Sequence, residues 1–124
     1  MKRAKFVTAA LHSINTMRTF KTGATRNDDT DRLDYEAFLS PLVLERYAKY
    51  LHKHRVQRDG TLREGDNWQA GIPLPAYAKS LLRHTISFWK AHRGYKDEDI
   101  QESLCAIIFN SMGYLFELLE DEKR

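Results

Sequence analysis

Cysteine and long hydrophobic runs are scarce in this sequence, and each shortage excludes a class of protein. Cys105 is the one cysteine, so neither an intrachain disulfide framework nor a cysteine-based zinc site can form. Its apolar neighbours predict that Cys105 is a small core residue. The use of a single cysteine is typical of a protein in a reducing compartment. No apolar run approaches the ~20 residues that span a bilayer. The basic start is followed by a stretch too short and too polar for a signal peptide, so we expect a cytoplasmic protein without membrane contact.

Several catalytic signatures are also missing. The sequence has no Gly-x-Ser-x-Gly nucleophile elbow, no Gly-x-x-x-x-Gly-Lys-Ser/Thr phosphate loop and no Gly-x-Gly-x-x-Gly fingerprint. Its five histidines form no His-Asp pair and do not cluster, which disfavours a mononuclear zinc site. A nucleotide would have to be bound without either of the two common phosphate-binding folds.

The composition is that of a globular domain, with 42% apolar and 30% charged residues. The length of 124 residues predicts a single domain over 1–124, which ends in a charged tail at 119–124. The formal net charge of +3 is mildly basic, whereas nucleic-acid binders usually concentrate more charge. A denser basic stretch at 49–63 leaves a nucleic-acid accessory role as the third-ranked hypothesis. Its residues would be Lys49, Lys53, His54, Arg55 and Arg58.

Helical periodicity predicts an all-α fold, a bundle of about four helices joined by long loops. The helices are expected at 2–17, at 41–54 with Ser40 as cap, at 74–92 and at 97–119, with a functional loop at 19–40. In the last helix we expect the apolar stripe to face the core. It consists of Ile100, Leu104, Ile107, Ile108, Leu115 and Leu118. Ser111 and Gly113 would allow a second helix to approach closely, which favours a homo-oligomer.

A strip of small and polar residues flanks that stripe. It contains Asp99, Glu102, Ser103, Ala106, Asn110, Gly113 and Glu117. Carboxylates that converge from two bundle helices suit Mg²⁺ or Mn²⁺, so Glu45 and Glu102 are candidate catalytic and metal-binding residues, with Asp99 as a third metal ligand. The alternative is that these are solvated surface acids with lysine partners.

Four segments offer groups that suit a nucleotide. Arg26, in the loop at 22–26, suits phosphate, and Asn67 with Trp68 offers an amide beside a stacking ring for a base. Arg83 and His84 lie among apolar neighbours on the third helix, and Asn110 lies on the last. The alternatives are a core anchor for Trp68 and a satisfied core group for His84.

Together these segments resemble a family of phage and bacterial dATP/dGTP diphosphohydrolase-like proteins, akin to the all-α MazG-like nucleotide pyrophosphohydrolases. The matching segments are TGATR at 22–26, LDY at 33–35, FLSP at 38–41, LVLERYA at 42–48, DNW at 66–68, GIP at 71–73, LRH at 82–84 and a run ending at Asn110. They cover about residues 20–118 in matching order, and the resemblance therefore implies a family-like core at 20–118 that follows an N-terminal segment at 1–20.

The resemblance implies an oligomeric all-α protein that hydrolyses purine deoxynucleoside triphosphates with Mg²⁺, releasing monophosphate and pyrophosphate. Glu45 falls where the family has a metal-binding acid, and Glu102 falls near its second acidic site. One turn later, where relatives have an aspartate, this chain has Cys105 and Ala106. The alternative to an enzyme is therefore a non-catalytic phage protein that binds and sequesters a nucleotide or a nucleotide-derived signal.

Overall fold

The computed structural model describes residues 17–95 and 99–124. Where the sequence predicted one domain, contacts divide the chain into two compact units, Met1–Ser40 and Pro41–Arg124. The described residues form four α-helices and one two-stranded sheet. The predicted helical class is confirmed, and the small sheet is an addition to it.

The first unit contains a short β-hairpin. Strand β1 (Met17–Thr19) pairs antiparallel with β2 (Thr25–Asn27), and Arg18 lies opposite Arg26. Gly23 adopts a φ of 89° in the connecting turn, a left-handed conformation that glycine adopts at little cost. The predicted helix at 2–17 lies outside the described residues except for Met17, which is in β1.

A single helical turn, α1 (Tyr35–Phe38), follows the hairpin. The Asp34 carboxylate accepts a hydrogen bond from the Ala37 N–H at 3.0 Å and caps the turn. The prediction of an unstructured loop over 19–40 was therefore wrong in part. Strand β2 and α1 are each too short to produce a periodic apolar pattern.

The second unit contains three longer helices. They are α2 (Pro41–Lys53), α3 (Leu74–His92) and α4 (Ile100–Glu122). The bounds predicted for α3 are confirmed, α2 begins at Pro41 as predicted, and α4 continues beyond its predicted end. The expected start of α4 at 97 lies outside the described residues. Its first turn is capped by the Asp99 carboxylate, which accepts from the backbone N–H groups of Gln101 and Glu102 at 3.0 and 3.3 Å.

The closest packing in this unit is between α3 and α4. Tyr77 of α3 is only 1% exposed, and its ring lies against the backbone of Gly113. The same ring meets Phe109 edge-on, with centroids 6.0 Å apart. Cys105 and Ala106 are also buried, which confirms the prediction that Cys105 is a core residue.

The orientation of α4 is the reverse of the predicted one. Most of the predicted core stripe is exposed, namely Ile100, Leu104, Ile108, Leu115 and Leu118. The small and polar strip is buried instead, at Ser103, Ala106, Asn110 and Gly113. Because Tyr77 needs space, α3 approaches α4 where its side chains are smallest. Gly113 therefore receives a ring of its own chain, not a second subunit.

Candidate functional site

A sharp turn after α2 brings two arginines together. Asp59 accepts from the Thr61 N–H at 3.0 Å, and Gly60 has a φ of 84°. The chain then runs back antiparallel to itself, with an isolated bridge between Val56 and Leu62. The Arg63 N–H donates to the Arg55 carbonyl at 2.8 Å, and the Arg55 Nε donates to the Arg63 carbonyl at 2.7 Å. This reciprocal pair fixes the Arg55 side chain and the Arg63 backbone beside the end of α2.

These arginines border a cleft of about 440 Å³ in the second unit, which we call the basic cleft. Its lining consists of Tyr50, Leu51, His54, Arg55, Val56, Arg63, Glu64, Gly65, Asn67, Trp68, Ile72, Ser80, His84, Phe109 and Asn110. The volume lies within the range of small-molecule sites. The lining joins α2, the loop that follows it, α3 and α4 around one concavity.

The electrostatic environment of His54 reflects the concentration of cations there. Burial lowers the pKa of His54 from 6.5, and the nearby charges of Lys53, His84 and Arg63 lower the pKa further. The ring of Tyr50 lies 4.3 Å from that of His54, centroid to centroid. Glu64 is the one carboxylate among the lining residues. The balance of charge in the cleft is positive, and such a site attracts anions.

The lining also offers an indole ring and two amides. Trp68 lies in a short 3₁₀ helix (Asn67–Ala70) and meets Phe116 edge-on, with centroids 4.6 Å apart. Trp68 is thus partly a packing residue, as the alternative interpretation held, while its ring also lines the cleft. Buried Asn110 donates one amide hydrogen to the Ala106 carbonyl at 2.8 Å. The amide has a second hydrogen and an oxygen acceptor with which it can bind a ligand.

The candidate metal-binding carboxylates all have partners within the chain. Glu45 is exposed and pairs with Lys49 at 3.3 Å. Glu102 binds the Arg46 guanidinium at 3.2 Å and also the Lys53 ammonium, and Asp99 caps α4. Across residues 17–95 and 99–124, no group of three metal-ligating side chains converges. Glu45, Glu102 and Asp99 do not line the basic cleft.

The structure thus brings together four of the predicted nucleotide-binding residues and separates two. Asn67, Trp68, His84 and Asn110 line the basic cleft. Arg83 lies outside its lining and is exposed, with its Nη2 3.5 Å from the Ser80 hydroxyl. Arg26 lies on β2 of the first unit, in a groove lined by residues of that unit.

Sequence reasoning missed the role of the loop at 55–65 in this site. His54 and Arg55 appeared there only as candidates for nucleic-acid contact, and Arg63 only as the end of a basic stretch. The sequence did contain a signal for this arrangement, because the dipeptide Asp59-Gly60 indicates a tight turn. A turn placed between Arg55 and Arg63 predicts that the two arginines face each other across a hairpin.

Comparisons with known proteins add no identification. No protein-family model, no curated protein and no solved structure matches this chain.

Proposed function

We propose that this chain binds a phosphate-bearing nucleotide in the basic cleft of its helical unit. The observation that carries the proposal is the convergence of His54, Arg55, Arg63 and His84 on one concavity that Trp68 also lines. Cations supply charge-assisted hydrogen bonds to phosphate oxygens. An aromatic ring beside them supplies a surface for a base.

The phosphate end of the ligand is assigned to the arginine side of the cleft. The Arg55 side chain and the Arg63 backbone are held in place by the reciprocal hydrogen bonds, so little entropy of the Arg55 side chain is lost when an anion binds beside it. Burial is the main cause of the lowered pKa of His54, and the charges of Lys53, His84 and Arg63 add to it. The positive field of these charges supports the same assignment, because it favours an anion. An anion bound there would in turn favour the protonated imidazole.

The base end of the ligand is assigned to the Trp68 side. The indole gives an apolar surface, and Asn67 and Asn110 give donors and acceptors for the edge of a base. The resemblance to dATP/dGTP diphosphohydrolase-like proteins favours a purine deoxynucleotide. It also favours hydrolysis of the triphosphate with Mg²⁺ or Mn²⁺.

The residues present do not fit the metal that such hydrolysis requires. Glu102 is neutralised by two cations, Glu45 by one, and Asp99 is used as a helix cap. Hydrolysis would require these carboxylates to exchange their partners for a metal ion. The proposed function is therefore nucleotide binding alone. The chain would then act by sequestering its ligand.

Binding is tested by isothermal titration of dATP, dGTP and dCTP into the wild-type chain, with inorganic pyrophosphate as a phosphate-only probe. Arg63→Gln should weaken nucleotide affinity by about tenfold or more, the loss expected for one charge-assisted hydrogen bond. Arg58→Gln is the matched control, because Arg58 lies in the same loop but outside the cleft lining. No heat of binding at about 1 mM nucleotide, or equal weakening by both variants, would refute the proposal.

Hydrolysis is tested separately by pyrophosphate release with the same nucleotides plus Mg²⁺ or Mn²⁺. Binding without release supports sequestration. Release that is abolished by Glu45→Gln in a folded protein would establish the pyrophosphohydrolase instead. Release that survives both Glu45→Gln and Glu102→Gln would exclude these two acids as metal ligands.

A further inference from the structure

Both oxygens of the Glu102 carboxylate are bound by cations of α2. Its Oε2 accepts a hydrogen bond from the Arg46 Nη2 at 3.2 Å, and its Oε1 pairs with the Lys53 ammonium. Arg46 is held in turn by Gln101, whose Oε1 accepts from the Arg46 Nε at 2.9 Å. The Glu102 side chain is only 26% exposed, so most of it is already covered. We call these four residues the Glu102 cluster.

The charge of the Glu102 cluster opposes a metal ion. Two positive groups share one carboxylate, so the cluster carries an excess of positive charge. A divalent cation would have to displace Arg46 and Lys53 from Glu102 or lie beside them, where like charges repel. The resemblance implies a metal ion near this acid, between two helices. The chain provides two cationic side chains there instead, and they join α2 to α4.

The basic cleft is supplied with positive charge by the chain in the same way. His54, which follows Lys53, lines the cleft, and both burial and the charge of Lys53 lower its pKa. Arg55 and Arg63 also line the cleft, where Glu64 is the one carboxylate of the lining. A phosphate group in the cleft would therefore meet guanidinium groups of the protein, which form charge-assisted hydrogen bonds with phosphate oxygens.

We propose that the basic cleft takes its nucleotide as the magnesium-free anion, and that Mg²⁺ competes with the chain for the phosphates. The proposal rests on the nucleotide binding proposed above and names the form of the ligand. Mg²⁺ bound to a nucleotide occupies phosphate oxygens, keeps several water molecules and reduces the negative charge. Arg55 and Arg63 would then lose acceptors and face a divalent cation. The expected effect of Mg²⁺ is therefore the reverse of the one that the resemblance implies.

The first test is isothermal titration of dATP into the wild-type chain, once with EDTA and once with a millimolar excess of Mg²⁺. Because only the free fraction of dATP would bind, the apparent Kd should rise by about tenfold or more in Mg²⁺. NaCl at the same ionic strength is the matched control, because screening alone also weakens contacts between charges. It should raise the Kd much less than Mg²⁺ does.

The outcomes of this titration separate the two proposals. Binding that is equally tight or tighter in Mg²⁺ would overturn the magnesium-free form and leave nucleotide binding intact. An equal loss of affinity in NaCl and in Mg²⁺ would also overturn it, because screening would then account for the effect. No heat of binding in either buffer would refute nucleotide binding, and this proposal with it.

The second test measures metal binding directly, by electron paramagnetic resonance of Mn²⁺. The ligand-free wild-type chain should leave the signal of free Mn²⁺ unchanged. A loss of signal would overturn the proposal, and its recovery in Glu102→Gln would locate the ion at the Glu102 cluster. With dATP present, a loss greater than dATP alone causes would also overturn it. Recovery of that signal in Glu64→Gln would locate the ion in the basic cleft.

Discussion

The Tyr77 ring lies directly on the Cα of Gly113, so a Cβ at position 113 would overlap the ring. This contact sets the distance between α3 and α4, because Tyr77 is the largest fully buried side chain among the described residues. It also sets the rotation of α4. The small strip faces inward, and the leucine stripe faces outward.

Replacing Gly113 by alanine should therefore destabilise the chain, although alanine is the better helix former. The helical preference favours alanine by about 1 kcal/mol, whereas overpacking a close contact costs about 1–3 kcal/mol. We expect a net loss of up to about 2 kcal/mol in the free energy of unfolding in urea. Ser111→Ala, in the same helix but exposed, is the control and should change stability by less than about 0.5 kcal/mol. A Gly113→Ala variant more stable than wild type would show that the ring does not pack on Gly113.

How much the sequence could predict is clearest in α4. Its helical character follows from its composition, whereas Asp99, expected as a metal ligand within the helix, is the cap at its start. The sequence did not predict which face of α4 is buried, because its apolar stripe is more hydrophobic than the small and polar strip that packs against α3. That choice depends on Tyr77, 36 positions earlier in the chain, and on the space that only Gly113 leaves for its ring.

The candidate site divides in the same way. Asn67, Trp68, His84 and Asn110 were predicted from residue type and helical position, and they line one cleft. Arg63 was not predicted, because its place depends on the backbone reversal at Asp59-Gly60. Tertiary contacts of this kind leave no periodic pattern in the sequence.

Nucleotide binding should quench the fluorescence of Trp68. The ring lines the basic cleft, so a stacked purine would contact it directly. The second tryptophan, Trp89, is exposed on α3 with the Arg93 guanidinium 4.8 Å from its ring centroid. Quenching by dATP should persist in Trp89→Phe and disappear in Trp68→Phe. The reverse result would place the ligand on the outer face of α3 and reject the cleft as its site.

Glu102 should stabilise the fold through its ion pairs with Arg46 and Lys53. Its side chain is 26% exposed and joins α4 to α2 through Arg46 and Lys53, whereas Glu45 pairs with Lys49 of its own helix. Glu102→Gln should lower the free energy of unfolding by about 1–2 kcal/mol, as expected for a partly buried ion pair. Glu45→Gln, the control, should cost less than about 0.5 kcal/mol. If Mg²⁺ raised the melting temperature of the wild type but not of Glu102→Gln, metal binding at Glu102 would be shown instead.

The stability of the ligand-free chain should fall as the pH falls below about 6.5. The pKa of His54 is lower in the folded chain than the ordinary value of 6.5, so the unfolded chain takes up a proton at a higher pH. Protonation therefore favours unfolding below that pH, and this contribution vanishes above it. His54→Gln should flatten this part of the pH dependence measured by urea unfolding. An unchanged slope in that variant would assign the dependence to other groups.

Nucleotide affinity should show the opposite trend, rising as the pH falls from about 8 to 6. A phosphate beside His54 stabilises the imidazolium, which burial and the charges of Lys53, His84 and Arg63 destabilise in the ligand-free chain. Binding should therefore take up protons, and titrations in buffers of different ionisation enthalpy measure that uptake directly. Protonation of the terminal phosphate acts in the other direction, so the comparison with His54→Gln is decisive. Proton uptake as large in His54→Gln as in the wild type would show that the phosphate does not bind beside this histidine.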